Sequence, residues 1–140
     1  MKILLPVDDS TRTQRSLDYM AAHEETFGPR HEYSVLTVVA PIPARVAILL
    51  SRSTMDDWYR EDAQKVLQPV RAFLEQKGWP VTGTFAVGHA PSVIAECART
   101  GKHGLVVMGT HGHSALGGLV LGSVTTGVLS RCRVPVLLVP

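Results

Sequence analysis

Four short runs of nearly unbroken apolar character limit what this chain can become. They are Lys2–Val7 (KILLPV), Tyr33–Val39 (YSVLTVV), Leu105–Met108 (LVVM) and Val134–Val139 (VPVLLV). Each is too short for a free-standing helix, and β-branched residues recur among them, so they read as strands. A strand that is apolar at successive positions has both faces covered, as strands inside parallel sheets do. A fifth segment, Val81–Val87, alternates, with Val81, Gly83, Phe85 and Val87 on one side. Helical patterns separate the strands. Thr11–Thr26 turns Leu17, Met20, Ala21 and Phe27 inward; Met55–Lys77 does so with Trp58, Val66, Val70, Phe73 and Leu74; Ser92–Thr100 and Ser123–Arg131 follow. The order βαβαβαβαβ calls for right-handed crossovers and a doubly wound parallel sheet within one α/β domain, residues 1–140.

Local punctuation supports these bounds. Asp9 or Ser10 is placed to cap the first helix. Gly28-Pro29 stops it, and Gly78 ends the long one. Pro91 suits a first helical turn, whereas Pro69 should kink or restart the long helix. The two prolines in Ala40–Ser53 disfavour regular structure early in that segment. Arg45–Leu50 reads as a short helix or lid, or as a contact surface.

Composition narrows the function. Of 140 residues, 45% are hydrophobic and 19% charged, which is globular rather than disordered. The net charge is +2 without a run of Lys or Arg, and aromatics are 6%, so a nucleic-acid surface is not indicated. The start MKILLPVDDS reads neither as a signal peptide nor as a membrane span. A cytoplasmic protein without membrane insertion is expected. Cys97 and Cys132 both fall in predicted helices and read as reduced, mostly buried thiols rather than a redox pair.

The chemistry concentrates after Met108. Gly109, Gly112, Gly122 and Ser123 form G-x2-G-x9-G-[ST], entered from a strand and left by a helix. A glycine-rich loop feeding a helix N-terminus presents backbone N–H groups to a phosphate, and glycine permits close backbone approach. No lysine precedes Ser123, so this is not the Walker loop, and it is not G-x-G-x-x-G either. Phosphates held by amides, hydroxyls and a helix dipole favour binding over rapid phosphoryl transfer. In doubly wound sheets ligands bind beyond the carboxyl ends of the strands. Asp8, the turn after Val39, Gly88 and the Gly109 loop all lie at such ends and converge on one crevice.

Pro6-Val7-Asp8, Val87-Gly88, Val107-Met108-Gly109-Thr110-His111-Gly112, Gly122-Ser123-Val124-Thr125 and the closing Val-Pro-Val-Leu-Leu-Val resemble the universal stress protein family, over the whole chain. The resemblance implies a five-stranded parallel sheet of order 3-2-1-4-5 with helices on both faces. Members with the complete glycine motif are the ATP-binding kind. ATP, or another adenine nucleotide, with Mg²⁺ is therefore expected. By the same carry-over Asp8 contacts ribose hydroxyls or the adenine edge, the Val38 backbone meets adenine, and Met108 and Gly109 flank the ribose. Gly112, Gly122, Ser123, Val124 and Thr125 surround the phosphates, and Pro6, Val7, Gly88, His111 and His113 complete the nucleotide-contacting set. Two departures stand out. Asp9 replaces a common glycine and adds negative charge. His113 stands where Lys or Arg is frequent, which makes phosphate affinity pH-dependent. The resemblance also implies a homodimer paired through Val134–Pro140, with room for a further protein partner.

Each residue has a plainer reading. Asp8 is also a turn former, and Ser123 and Thr125 also suit a helix start. His111 and His113 lack further ligands for a metal site. No Ser–His–Asp set or carboxylate pair is apparent, so no catalytic residue is assigned. Three functions follow: an ATP-binding stress or signalling module acting by population shift, a slow ATPase, or a nucleotide-independent dimer regulating a transporter or channel.

Overall fold

A computed structural model describes residues 1–110 and 121–140. Its elements are β1 (Lys2–Pro6), α1 (Thr11–Ala22), β2 (Glu32–Val39), α2 (Ala44–Ala47), α3 (Arg52–Gln76), β3 (Val81–Val87), α4 (Ala90–Thr100), β4 (Leu105–Gly109), α5 (Ser123–Arg131) and β5 (Val136–Val139). The five strands form one parallel sheet in the order β3-β2-β1-β4-β5. Fold class and strand order are therefore as the sequence and the resemblance lead one to expect.

The apolar runs are explained by two cores, one on each face. Alternate residues of a strand point to opposite sides. Ile3, Leu5, Val35 and Val107 join Leu17 and Met20 of α1 and Leu67, Val70 and Leu74 of α3 on one face. Leu4, Leu36, Val106 and Met108 meet Ile94 and Ala98 of α4 and Val128 of α5 on the other. Burying one such aliphatic side chain is worth about 1.5–3 kcal/mol, so neither face of the sheet tolerates exposure.

Helix boundaries depart from the sequence reading in instructive ways. Ser10 caps α1 by accepting from the Arg12 N–H, but α1 ends at Ala22, not Thr26. The chain then turns, with the N–H groups of Thr26 and Phe27 both bonded to the His23 carbonyl, before Gly28 adopts φ +77°. A long helix starts at Arg52 because Ser51 caps it, and it runs unbroken through Pro69. Pro69 is exposed, so the helical bond it removes lies on the solvent side. Trp58 is not inward but 48% exposed. Buried Ala63, Leu67, Val70 and Leu74 set a phase that runs back to Tyr59, whose hydroxyl accepts the Ile42 N–H at 2.8 Å. The short helix of the Arg45–Leu50 region is the single turn α2. Cys132 is the C-cap of α5 rather than a helical residue, and both cysteines are free. Strand β5 begins at Val136, two residues later than expected.

Two close contacts bear on stability. A Cβ on Gly109 would stand 2.7 Å from Arg12 Cβ and 2.8 Å from the Arg12 carbonyl oxygen. Gly109 therefore lets α1 lie directly against the end of β4. Gly109→Ala should cost about 1–3 kcal/mol by overpacking, read from urea unfolding; a loss below about 0.5 kcal/mol would show that α1 shifts freely. The second contact is His103, buried after α4, whose Nδ1–H donates to the Cys97 carbonyl at 3.2 Å while Nε2 has no partner among the described residues. Burial, then the Lys2 ammonium, hold its pKa below 6.5 against the hydrogen bonds to the backbone of Cys97 and Ala98. The unfolded chain thus takes a proton that the folded one refuses. The stability this group confers is complete above pH 6.5 and declines as pH falls towards the lowered folded value. The melting temperature should fall with acidification through this range, and His103→Leu should flatten the decline. An equal slope in both proteins would place the acid sensitivity elsewhere.

Candidate functional site

Strand β1 pairs with β2 on one side and β4 on the other. The chain leaves β1 for α1 on one face and reaches β4 from α4 on the opposite face. The strand ends therefore part around β1 and β4, as they must where the winding reverses. The opening is a cleft of about 190 Å³. Leu36 and Val38 from β2, Ile94 from α4 and Met108 from β4 give it apolar walls.

Asp8 lines the cleft two residues after the end of β1. Its Oδ1 accepts from the Ser10 N–H at 2.9 Å, from the Ser10 hydroxyl and from the Thr13 hydroxyl at 3.2 Å. Its Oδ2 accepts from Arg12 Nη2 at 3.1 Å. The Asp8 N–H donates to Thr13 Oγ1 at 2.9 Å, which closes the turn. Burial pushes the carboxyl pKa up, but the two bonds from Ser10, the Arg12 charge and the Thr13 hydroxyl outweigh it. Asp8 is consequently held below the usual carboxylate value of 3.8 and is ionised at neutral pH.

The first turn of α5 lines the cleft through Val124 and Thr125. Gly122 is its N-cap, at φ −68° and ψ 164°, and no side chain caps it among the described residues. The first N–H groups of any helix lack intrahelical acceptors, so this start carries the positive end of the helix dipole. Thr125 does not offer its hydroxyl there; it donates to the Gly109 carbonyl at 3.3 Å and ties α5 to β4. Helix α4 also starts here, with Ala90 in the wall and no side-chain cap bond from His89.

Of the expected site residues, Pro6, Val7, Asp8, Val38, Met108, Gly109, Val124 and Thr125 line this cleft. Gly122 and Ser123 start α5 but are not among the lining residues. Gly88 follows β3, bonded through its N–H to the Val39 carbonyl at 3.0 Å, and does not line the cleft. His111, Gly112 and His113 lie outside the described residues. Arg12, Thr13, Ala90 and Ile94 line the cleft without having been singled out from the sequence. Arg12 and Thr13 were findable: Asp8 and Ser10 form a side-chain turn, and the next turn of helix returns to Asp8. No group of three or more His, Cys, Asp or Glu suited to a metal occurs among the described residues. No helix among them is long and apolar enough to cross a membrane.

Known proteins share this architecture. The chain is 26% identical over 153 residues to universal stress protein MJ0577 of Methanocaldococcus jannaschii, covering 99% of this chain and 93% of that one. The solved structure of MJ0577 superposes with a TM-score of 0.79 at 27% identity, covering 99% and 94% of the two chains. Universal stress protein Slr1230 of Synechocystis is 27% identical over 136 residues, 97% of this chain; the chain spans only 41% of that relative's length. A universal stress protein family member from Arabidopsis thaliana, solved with AMP bound, shares the fold at a TM-score of 0.72 and 15% identity, over 99% and 90% of the chains. The family model described as universal stress protein matches residues 1–140, and the chain belongs to the universal stress protein family.

Proposed function

We propose that this chain is an adenine-nucleotide-binding member of its family, taking ATP with Mg²⁺ and passing its occupancy to a partner protein. The observation that carries this reading is the cleft itself: an apolar slot whose lining includes an ionised carboxylate and the first turn of a helix. The AMP held by the Arabidopsis relative supports it. Val38, Met108 and Ile94 suit the flat apolar base. Asp8 suits a hydroxyl or amino donor. The start of α5 at Gly122–Thr125 suits phosphate. Magnesium normally keeps several waters and is held by one or two carboxylates with substrate phosphates, so a closed cage of protein ligands is not required. Hydrolysis is slow in this reading. A carboxylate held below its usual pKa and paired with Arg12 is a weak general base.

Isothermal titration with MgATP should give saturable binding, and Gly122→Val should abolish it. Valine tolerates φ −68° and ψ 164°, so circular dichroism should stay that of the wild type. Ser123→Ala should weaken binding by about 1–2 kcal/mol. No heat and no thermal shift at millimolar MgATP would sink the nucleotide reading. A folded Gly122→Val protein with wild-type affinity would remove α5 from the site.

We further propose a two-fold homodimer through β5. The support is backbone rather than side chain. Leu137 and Val139 serve one core, and Val136 and Leu138 the other, so the apolar run is accounted for within the chain. What remains is that β5 ends the sheet, and an edge strand offers its outer N–H and C=O groups for pairing. Sedimentation equilibrium at micromolar concentration should return the dimer mass. A monomer at that concentration would overturn the proposal.

A further inference from the structure

The Asp8 carboxylate is largely spent on the protein. Oδ1 accepts three hydrogen bonds and Oδ2 accepts one. With about four lone-pair sites on a carboxylate, a ligand donor is left with Oδ2. That oxygen is also the one bound by Arg12, at 3.1 Å. Any hydroxyl taken by Asp8 therefore sits beside a guanidinium. Arg12 and Asp8 are the only charged side chains lining the cleft among the described residues. Asp9 is not among the residues lining the cleft; it lines an adjoining groove between α1 and α3 that shares Asp8 and Thr13 with it.

A ribose carries two adjacent hydroxyls. When one donates to Oδ2, its neighbour is one hydroxyl's spacing from the oxygen that Arg12 also binds. A guanidinium only donates, and it matches phosphate with two parallel bonds. A phosphorylated oxygen therefore suits that place better than a second hydroxyl. In dinucleotide folds an acidic residue holds the free 2′-hydroxyl, whereas a nearby arginine accommodates a 2′-phosphate; here both residue types stand side by side. We propose that Arg12 makes this cleft selective for adenine nucleotides that carry an extra phosphate on the 2′ or 3′ oxygen of the ribose. The proposal rests on the adenine-nucleotide reading above. Arg12 is engaged in the free protein, through Nε to Ser10 Oγ at 3.0 Å and through further interactions. The ribose phosphate competes with those partners, and the gain expected is about tenfold in affinity, the lower end for a charge-assisted bond.

The test is a set of titrations with AMP, ADP, adenosine 2′,5′-bisphosphate and adenosine 3′,5′-bisphosphate, on wild type and Arg12→Gln. ADP controls for added charge, since its second phosphate lies away from the ribose hydroxyls. Wild type should bind at least one bisphosphate about tenfold more tightly than AMP. Arg12→Gln should bring those two constants within about threefold, while the AMP-to-ADP ratio stays that of wild type. Arg12→Lys, which keeps the charge but loses the fork, should retain part of the preference. If AMP binds and neither bisphosphate binds more tightly, the Arg12 proposal fails and the nucleotide reading stands. The Arg12 proposal fails likewise if Arg12→Gln changes the ADP and bisphosphate ratios alike. If no adenine nucleotide binds, both fail together. The wild-type comparison is decisive even if Arg12→Gln does not fold.

Discussion

A parallel sheet that is apolar on both faces has to be covered on both faces, and the rest of this molecule follows from that requirement. Leu4, Val35 and Val106 are wholly buried, and they belong to different faces. One layer of helices satisfies only half of such residues. The chain therefore places α1 and α3 on one side and α4 and α5 on the other. Winding in both directions from β1 leaves the strand ends parted beside it. The cleft is thus a consequence of how the core is covered, and the loops that follow β1 and β4 need only furnish it.

What furnishes it is settled by contacts more local than a ligand. Gly109 belongs to the glycine motif, yet its immediate neighbour is the α1 backbone, 2.8 Å from where a Cβ would stand. Thr125 sits in the motif's helix, yet its hydroxyl ties that helix to Gly109. Asp8 is held by the turn it starts. Such contacts hold the helix start and the carboxylate in fixed relation, which a preorganised binding site needs.

The sequence made the architecture legible because strand and helix periodicities are local. All five strands and the four long helices were readable, and β3 and α5 to the residue. Errors arose where tertiary phase or capping decides. Trp58 is as hydrophobic as Tyr59, but only Tyr59 is in phase with Ala63 and Leu67. The start at Arg52 depends on Ser51, one hydroxyl in a serine-rich stretch. Asp8, Met108 and Gly109 were readable because they sit at strand ends. Ile94 and Ala90 were not, since they reach the cleft only when α4 lies across the sheet. Gly88 shows the converse: a strand end lines this cleft only beside the switch point, and β3 is two strands away.

Charge placement argues further about what kind of site this is. A catalytic carboxylate at neutral pH benefits from a raised pKa and an unencumbered lone pair. Asp8 departs from both, because Ser10, Thr13 and Arg12 stabilise its ionised form and leave it one open acceptor position, on the oxygen that Arg12 binds. These features suit recognition, in which a fixed acceptor rejects ligands that leave it unpaired. The ion pair is partly exposed, with side chains at 34% and 50%, so solvent screening limits its worth to stability. Holding Asp8 in place, and setting a cation beside its one open acceptor position, is the larger consequence of having arginine at position 12. The same helical turn thereby positions the acceptor and bounds the chemistry of whatever lies next to it.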